Sequence, residues 1–221
     1  MKMKKILVIL LALVTVNCFA QKDPEAKAIL DKAAKQAAGY KSITADFDCV
    51  YENLAEEKTE NYRGSLLLKG SRFRIDVDKT ITFCDGKNRW AYLAESNEVT
   101  ISPIEVSNDD APEDRFMSDP MSLYTFYRSG FKYIMGDIEE IGGKTMQIIE
   151  LAPENIKKPY FKIKYWFTPN NDLYQIKCFQ KDGTRFTLTL TKFQTNQKID
   201  DAVLNFDAKN YPGVEIIDMR D

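Results

Sequence analysis

Apolar and polar residues alternate with a period of two over most of this chain, which predicts β-strands. In the segment from residue 72 to residue 78, for example, Phe73, Ile75 and Val77 fall on one face and charged residues fall on the other. This pattern is typical of strands with one buried face and one solvated face. The apolar face of such a sheet must be covered by other parts of the chain.

Short turn sequences divide the alternating segments. Tight hairpins need residues that adopt positive φ, and Gly, Asn and Asp supply them. Such residues separate segments 81–84 and 89–93, segments 89–93 and 98–101, segments 131–141 and 144–151, segments 161–167 and 173–180, and segments 173–180 and 184–193. The series predicts about ten antiparallel strands in meander order, and a sheet of that size curls on itself.

Two segments leave the alternating pattern. Asp23 or Pro24 begins a predicted amphipathic helix, which Gly39 ends. Residues 103–120 are polar and acidic and are predicted to form an exposed loop. A second predicted helix starts after Ser118-Asp119-Pro120. The large apolar side chains of this region are Met117, Met121, Leu123, Tyr124, Phe126 and Tyr127.

Residues 1–20 have the composition of a cleavable signal peptide. Three lysines precede an apolar stretch, residues 6–16, that is too short to span a bilayer. We expect cleavage after Ala20, which leaves residues 21–221 as a single soluble domain. Lipidation of Cys18 is the alternative, although the residues before it lack the leucine and the small residue of a lipoprotein signal.

The composition excludes several classes of function. The chain contains no histidine, so it cannot form a Ser-His-Asp or Cys-His catalytic system or a histidine metal site. Its formal net charge is −2, which disfavours a nucleic-acid partner. Cys49, Cys84 and Cys178 lack metal-site spacing and are predicted to be small buried residues in strands. We therefore expect no enzymatic activity, no metal and no cofactor.

Large apolar side chains are concentrated on one face of the predicted sheet. Two interpretations remain open: a core that helices cover permanently, or a surface that exchanges its lid contacts for an acyl chain. Each buried CH₂ contributes about 0.8 kcal/mol, so a ~16-carbon chain offers on the order of 10 kcal/mol. The candidate sheet residues are Leu66, Leu68, Phe73, Ile75, Val77, Phe161, Ile163, Tyr165, Phe167, Phe186 and Leu188, and the candidate lid residues are Met117, Met121, Tyr124, Phe126 and Tyr127.

Several segments together resemble the outer-membrane lipoprotein carrier family, LolA. They are residues 64–69 (Gly-Ser-Leu-Leu-Leu-Lys), 73–75 (Phe-Arg-Ile), 85–92 (Asp-Gly-Lys-Asn-Arg-Trp-Ala-Tyr), 97–100 (Asn-Glu-Val-Thr), 161–166 (Phe-Lys-Ile-Lys-Tyr-Trp), 182–186 (Asp-Gly-Thr-Arg-Phe) and 211–214 (Tyr-Pro-Gly-Val). The resemblance covers nearly all of the chain after the predicted signal peptide. The run at residues 85–92 is its most specific part, and we assign Trp90 and Tyr92 of that run to the cavity.

The resemblance implies a mainly β (α+β) fold, in which roughly ten or eleven antiparallel strands form an unclosed β-barrel under a helical lid. It implies a monomeric periplasmic carrier that receives acylated lipoproteins from an inner-membrane ABC-type release complex and passes them to an outer-membrane acceptor. Well-known members have Arg-Pro after the lysine that corresponds to Lys69, and the arginine latches the lid. Gly70-Ser71 stands there in this chain. Arg72 and Arg74 are the nearest alternative latches.

Two other functions are compatible with parts of the sequence. A membrane-tethered lipoprotein acceptor or lipid-sensing module of the same fold would need a lipidated Cys18 or an added domain. An enzyme acting on acyl or glycan substrates would need catalytic groups, and the sequence has neither histidine nor a nucleophile motif.

Overall fold

The computed structural model describes residues 22–105, 107 and 110–220. The predicted signal peptide, its cleavage after Ala20 and the alternative of a lipidated Cys18 all lie outside the described residues. Within the described residues, no helix combines the length and the apolar character that crossing a membrane requires.

The first helix, α1 (Pro24–Ala38), has the boundaries that its end signals predict. The Asp23 side chain caps its N-terminus by accepting hydrogen bonds from the backbone N–H groups of Glu25 and Ala26, and Gly39 follows its last residue. One face of α1 is buried through Ala26, Leu30, Ala33, Ala34 and Ala37. These mostly small side chains allow α1 to lie close to the rest of the core.

A single sheet of twelve strands forms most of the molecule. The strands are β1 (Ile43–Asn53), β2 (Lys58–Lys69), β3 (Arg72–Val77), β4 (Thr80–Cys84), β5 (Asn88–Leu93), β6 (Glu98–Pro103), β7 (Phe131–Ile141), β8 (Lys144–Pro153), β9 (Tyr160–Phe167), β10 (Leu173–Gln180), β11 (Thr184–Thr195) and β12 (Glu215–Asp218). Their order across the sheet is β12-β6-β5-β4-β3-β2-β1-β11-β10-β9-β8-β7. Since the two outermost strands do not pair with each other, the curled sheet is an unclosed barrel, as predicted.

Two meanders share this sheet, which corrects the prediction of one continuous meander. The strands from β1 to β6 form one and the strands from β7 to β11 form the other, and β1 pairs antiparallel with β11 to join them. The short strand β12, which the sequence pattern did not predict, pairs in parallel with β6. Each predicted hairpin is present.

The connection from β6 to β7 must cross the concave face, because these strands lie near opposite edges of the sheet. It contains the helix α2 (Pro112–Ser118) and two 3-10 helices, η1 (Pro120–Tyr124) and η2 (Phe126–Arg128). We call α2, η1 and η2 the lid. The prediction that all of residues 103–120 form an exposed loop is therefore wrong, since Pro112 and the acidic residues that follow it begin α2.

The predicted second helix begins where expected but is a 3-10 helix. The Asp119 side chain accepts a hydrogen bond from the Met121 backbone N–H at 3.1 Å, which caps η1. Thr125 then ends η1 before η2 starts at Phe126. Segments this short get most of their stability from the apolar side chains they bury.

The C-terminal segment covers part of the convex face of the sheet. It contains two more 3-10 helices, η3 (Asp201–Leu204) and η4 (Ala208–Asn210), and it ends in β12. Phe206 and Tyr211 from this segment contact the Phe83 ring on β4, with centroid distances of 6.0 and 6.5 Å. The sheet therefore has apolar side chains on both faces at this edge.

Candidate functional site

A cavity of about 340 Å³ lies between α2 and the concave face of the sheet. This volume is within the usual range for sites that bind small molecules, roughly 300–1,000 Å³. Half-buried side chains such as Tyr51, Tyr62 and Val77 line it, which indicates that it opens to solvent on that side. The complete lining is Phe47, Cys49, Tyr51, Tyr62, Val77, Asp78, Thr80, Glu113, Phe116, Met117 and Phe186.

The alternation of β1 directs every second side chain into this cavity. Phe47, Cys49 and Tyr51 have the same parity, and their neighbours on the other parity face outward. Phe47 is paired with Gly64 on β2, and a Cβ atom added to Gly64 would lie only 2.3 Å from the Phe47 ring. Glycine at this position therefore makes room for the Phe47 ring over β2.

Phe116 of α2 lies deep in the concave face. Its ring contacts the Phe47 ring edge-on at a centroid distance of 5.1 Å, and its side chain is buried. Phe116 also lines a second, smaller space of about 30 Å³ further along the groove. The other residues around that space are Ile43, Ala45, Leu66, Pro120, Met121, Leu123, Tyr124, Leu173, Leu188, Leu190 and Phe193.

Hydrogen bonds connect the lid to the rest of the molecule at three places. Gln180 at the end of β10 donates to the Glu113 carboxylate on α2. The buried Tyr165 hydroxyl on β9 donates to the Leu123 carbonyl oxygen in η1 at 3.0 Å. The Tyr127 hydroxyl of η2 donates to Asp31 on α1. Most of the remaining contact between lid and sheet is apolar.

Glu113 is the polar residue that stands out in this lining. Its side chain is only 9% exposed, and its Oε2 atom accepts no hydrogen bond among the described residues. Burial raises the pKa of Glu113, and the neighbouring Asp114 raises it further, while the hydrogen bond from Gln180 partly offsets both. Burial is also the main cause of a raised pKa at Tyr51, with Glu113 as the next contributor.

The three cysteines are buried and unpaired, as predicted for small residues in strands. Burial raises the pKa of Cys49, which lines the cavity, to about 12. A thiol with such a pKa stays protonated at neutral pH and is a poor nucleophile. The chemistry of the cavity is therefore that of an apolar binding surface.

The predicted site residues fall into three groups. Leu66, Val77, Met117, Met121, Tyr124, Phe186 and Leu188 line one of the two spaces described above. A second group belongs to the same concave core but lines neither space: Leu68, Phe73, Ile75, Phe126, Tyr127, Ile163, Tyr165 and Phe167. The third group lies on the convex face.

Phe161 belongs to this third group, and its prediction as an inward-facing residue is wrong. Its side chain is 46% exposed and packs beside Phe179, with a centroid distance of 6.2 Å. The cause is a β-bulge, because Phe179 pairs with Lys162 while the next residue of β10 pairs with Tyr160. The extra residue reverses the parity of β9, so that Tyr160 points inward.

Trp90 and Tyr92 also face away from the cavity, which corrects their assignment to it. Trp90 is paired with Phe83, and Tyr92 lies two residues further on the same face of the sheet. The Tyr92 ring contacts the Tyr211 ring of the C-terminal segment at a centroid distance of 4.4 Å. These aromatic residues hold the C-terminal segment on the convex face.

Neither alternative latch residue reaches the lid. Arg74 forms two hydrogen bonds of 2.7 Å to Asp76 on its own strand, and Arg72 contacts Asp201 at 2.6 Å in the C-terminal segment. Both arginines are thus on the convex face, and the prediction that one of them replaces the family latch is wrong. Gly70 has a positive φ of 63° in the β2–β3 turn, which explains the glycine at that position.

Sequence reasoning missed six of the residues around the larger cavity. Parity could have identified those on β1, since the alternation of residues 43–51 is clear in the sequence. Glu113 and Phe116 were missed because α2 was assigned to a loop. The six residues are Phe47, Cys49, Tyr51, Tyr62, Glu113 and Phe116.

An unclosed β-barrel with a lid over an apolar cavity defines a class of proteins that bind apolar ligands. The chain belongs to the LolA family, because the family model described as "Outer membrane lipoprotein carrier protein LolA" matches residues 38–207. This result confirms the resemblance found in the sequence. No curated protein matches the chain.

Solved structures support the fold. An uncharacterized conserved protein from Thermus thermophilus is similar, with a TM-score of 0.57 and 12% sequence identity over 88% of this chain and 99% of that chain. LprF from Mycobacterium bovis has a TM-score of 0.50 and 12% identity over 82% of this chain and 98% of that chain. A LolA superfamily protein from Nitrosomonas europaea has a TM-score of 0.42 and 13% identity over 82% of this chain and 98% of that chain.

Proposed function

We propose that this protein is a periplasmic carrier that binds the acyl chains of lipoproteins and shuttles them from the inner to the outer membrane. The observation that carries the proposal is the apolar cavity of about 340 Å³ beneath α2, in a chain of the LolA family. Transport of this kind requires binding and release but no chemical reaction. A chain without histidine meets that requirement.

The energetics favour exchange of lid contacts for an acyl chain. A hydrogen bond contributes about 0.5–1.5 kcal/mol net, so the three that hold the lid contribute a few kcal/mol together. Removing Phe116 from its buried position costs about 1.5–3 kcal/mol more. A ~16-carbon chain offers on the order of 10 kcal/mol when it is fully buried. The ligand can therefore supply the free energy that opens the lid.

The acyl-binding site of this proposal contains the lining of both spaces under the lid. Phe116 lines both of them, so a rotation of its side chain would extend the larger space along the groove. Of the residues predicted from the sequence, those that take part are Leu66, Val77, Met117, Met121, Tyr124, Phe186 and Leu188. The predicted residues that line neither space support the sheet on which the site is built.

The proposal includes a route and a compartment. Residues 1–20 are removed as a signal peptide, with cleavage near Ala20, and the remaining chain is a periplasmic monomer. It receives acylated lipoproteins from an inner-membrane ABC-type release complex and delivers them to an outer-membrane acceptor. The description of the matching family model supports this route.

A cavity-filling substitution tests the proposal. We expect Val77→Trp to lower the affinity for a fluorescent fatty-acyl probe by about tenfold or more, because the indole would occupy space that the acyl chain needs. Ile138→Trp is the matched control, since Ile138 is 65% exposed and distant in register from the cavity. Circular dichroism establishes that both variants fold. Equal probe affinity in the folded Val77→Trp variant would refute the site, as would mass spectrometry that finds no acylated molecule in protein purified without detergent.

A further inference from the structure

We propose that Glu113 forms a polar subsite at the edge of the acyl cavity and binds a hydrogen-bond donor, such as an amide N–H, on the head group of the ligand. This inference rests on the proposed function and specifies which acylated molecules the cavity prefers. It predicts selection of amphiphiles with a donor next to the acyl chain over those with an ester or a carboxylate there.

The first observation is that a carboxylate lies in an otherwise mainly apolar lining. Glu113 faces the same cavity as Phe47, Met117 and Phe186, and it is nine-tenths buried. Only one of its two oxygens has a partner, since Gln180 donates to Oε1 and no described group donates to Oε2. A buried acceptor without a donor is unfavourable, and few native proteins retain one without a compensating role.

The second observation is that no basic side chain among the described residues supplies the missing donor. Arg115 follows two residues later on α2, but its Nη2 donates to the Ser107 carbonyl at 2.8 Å and its guanidinium stacks 4.5 Å above the Phe126 ring. On β11, Arg185 Nη1 donates to the Gln180 and Thr184 carbonyls. Glu113 is therefore available to a donor that arrives with a ligand.

The third observation links this subsite to the lid. Glu113 is part of α2 and also forms the hydrogen bond that joins α2 to β10, through Gln180. Its Oε2 is closed off from solvent while α2 is in place. An acyl chain that enters the cavity must displace α2, and the same movement makes Oε2 accessible to the head group. The donor then compensates for the lid contacts that the chain disrupts.

Three ligands with the same acyl chain test the subsite. We expect N-methylpalmitamide to displace an environment-sensitive acyl dye at roughly five- to tenfold lower concentration than methyl palmitate, because the two differ in one N–H donor. Palmitate should be the weakest of the three, since its carboxylate would lie against that of Glu113.

Two variants connect this preference to Glu113. Glu113→Gln can keep a carbonyl oxygen toward Gln180 while an amide NH₂ group replaces Oε2, so the preference for the amide should disappear and palmitate should bind more tightly. Asp114→Asn is the matched control, because it removes the same charge one residue away at an exposed position and should leave the preference unchanged.

The outcomes separate this inference from the proposed function. If all three ligands bind with equal affinity, the subsite is refuted while the acyl carrier stands. If none of them binds, both are refuted. A Glu113→Gln variant that weakens the three ligands equally would assign to Glu113 a role in the lid alone and would also overturn the subsite.

A further comparison identifies the source of the donor. A synthetic N-palmitoyl lipopeptide has an amide N–H, and phosphatidylethanolamine has an ammonium group. We expect the ligand recognised by the subsite to lose about five- to tenfold in affinity in Glu113→Gln and none in Asp114→Asn. If neither molecule shows this difference, the subsite does not recognise a head-group donor and the inference fails.

Discussion

The two halves of the concave face differ in what fills them. Under α2, the side of the sheet from β1 to β4 leaves a cavity of about 340 Å³. On the other side, aromatic rings from β7, β9 and the lid fill the space. Phe131 contacts Phe126 at a centroid distance of 4.5 Å and stacks parallel to Tyr160 at 6.3 Å. The same alternating pattern of residues thus builds a packed core in one half and a binding site in the other.

This difference indicates a division of labour within one sheet. The packed half joins α1, η1 and η2 to the strands and supplies stability that does not depend on ligand. The cavity half has exchangeable contacts, which centre on α2 and Phe116. A protein that releases its ligand needs both, because a lid that opens must be attached to a framework that stays folded.

The largest expected effect concerns the packed half. Phe131→Ala should lower the free energy of unfolding by about 3–5 kcal/mol, since Phe131 is 1% exposed and its loss leaves a cavity. Met117→Ala in the other half should lower it by less, because Met117 is half-buried and already borders a cavity. Urea denaturation measures both values. Equal losses would mean that the two halves do not differ in packing.

The predictability of the structure follows the same division. Local signals were sufficient for α1, whose ends are set by Asp23 and Gly39, and for the hairpins. Parity along a strand separates two faces but does not say which face a distant segment covers. Trp90 and Tyr92 were misassigned for this reason, because residues more than 100 positions later cover their face. Phe161 was misassigned because a bulge is invisible to a simple period of two.

The cavity itself could not be predicted from the sequence for a related reason. Its shape depends on where the β6–β7 connection crosses the sheet, and that path follows from the pairing of β1 with β11. Phe116 and Phe47 are far apart in sequence and meet only through this arrangement. The family resemblance supplied the lid and the cavity, and the structure supplied the residues.

An intermediate effect is expected where the packed half is joined to the lid. Tyr165→Phe removes the donor to the Leu123 carbonyl and leaves that buried oxygen without its partner, which should cost about 1–2 kcal/mol of stability. Acyl-probe exchange should become faster, because η1 loses a connection to β9. Tyr62→Phe is the stability control, since the Tyr62 hydroxyl bonds to the part-exposed Glu60. If Tyr165→Phe changes neither stability nor exchange, the packed half does not hold the lid.

The smallest expected effect is a pH dependence that originates in the cavity half. Burial raises the pKa of Glu113 above the ordinary value of 4.5, so the native state binds its proton more tightly than the unfolded state does. This contribution to stability is fully present below the unfolded pKa and is lost as the pH rises through the raised native pKa. The Glu113→Gln variant should lack this pH dependence and should be more stable than the wild type at neutral pH, whereas Asp114→Asn should keep it. Thermal unfolding from acidic to neutral pH measures the difference. Parallel curves for the wild type and Glu113→Gln would show that the buried carboxylate has no energetic effect on the closed lid.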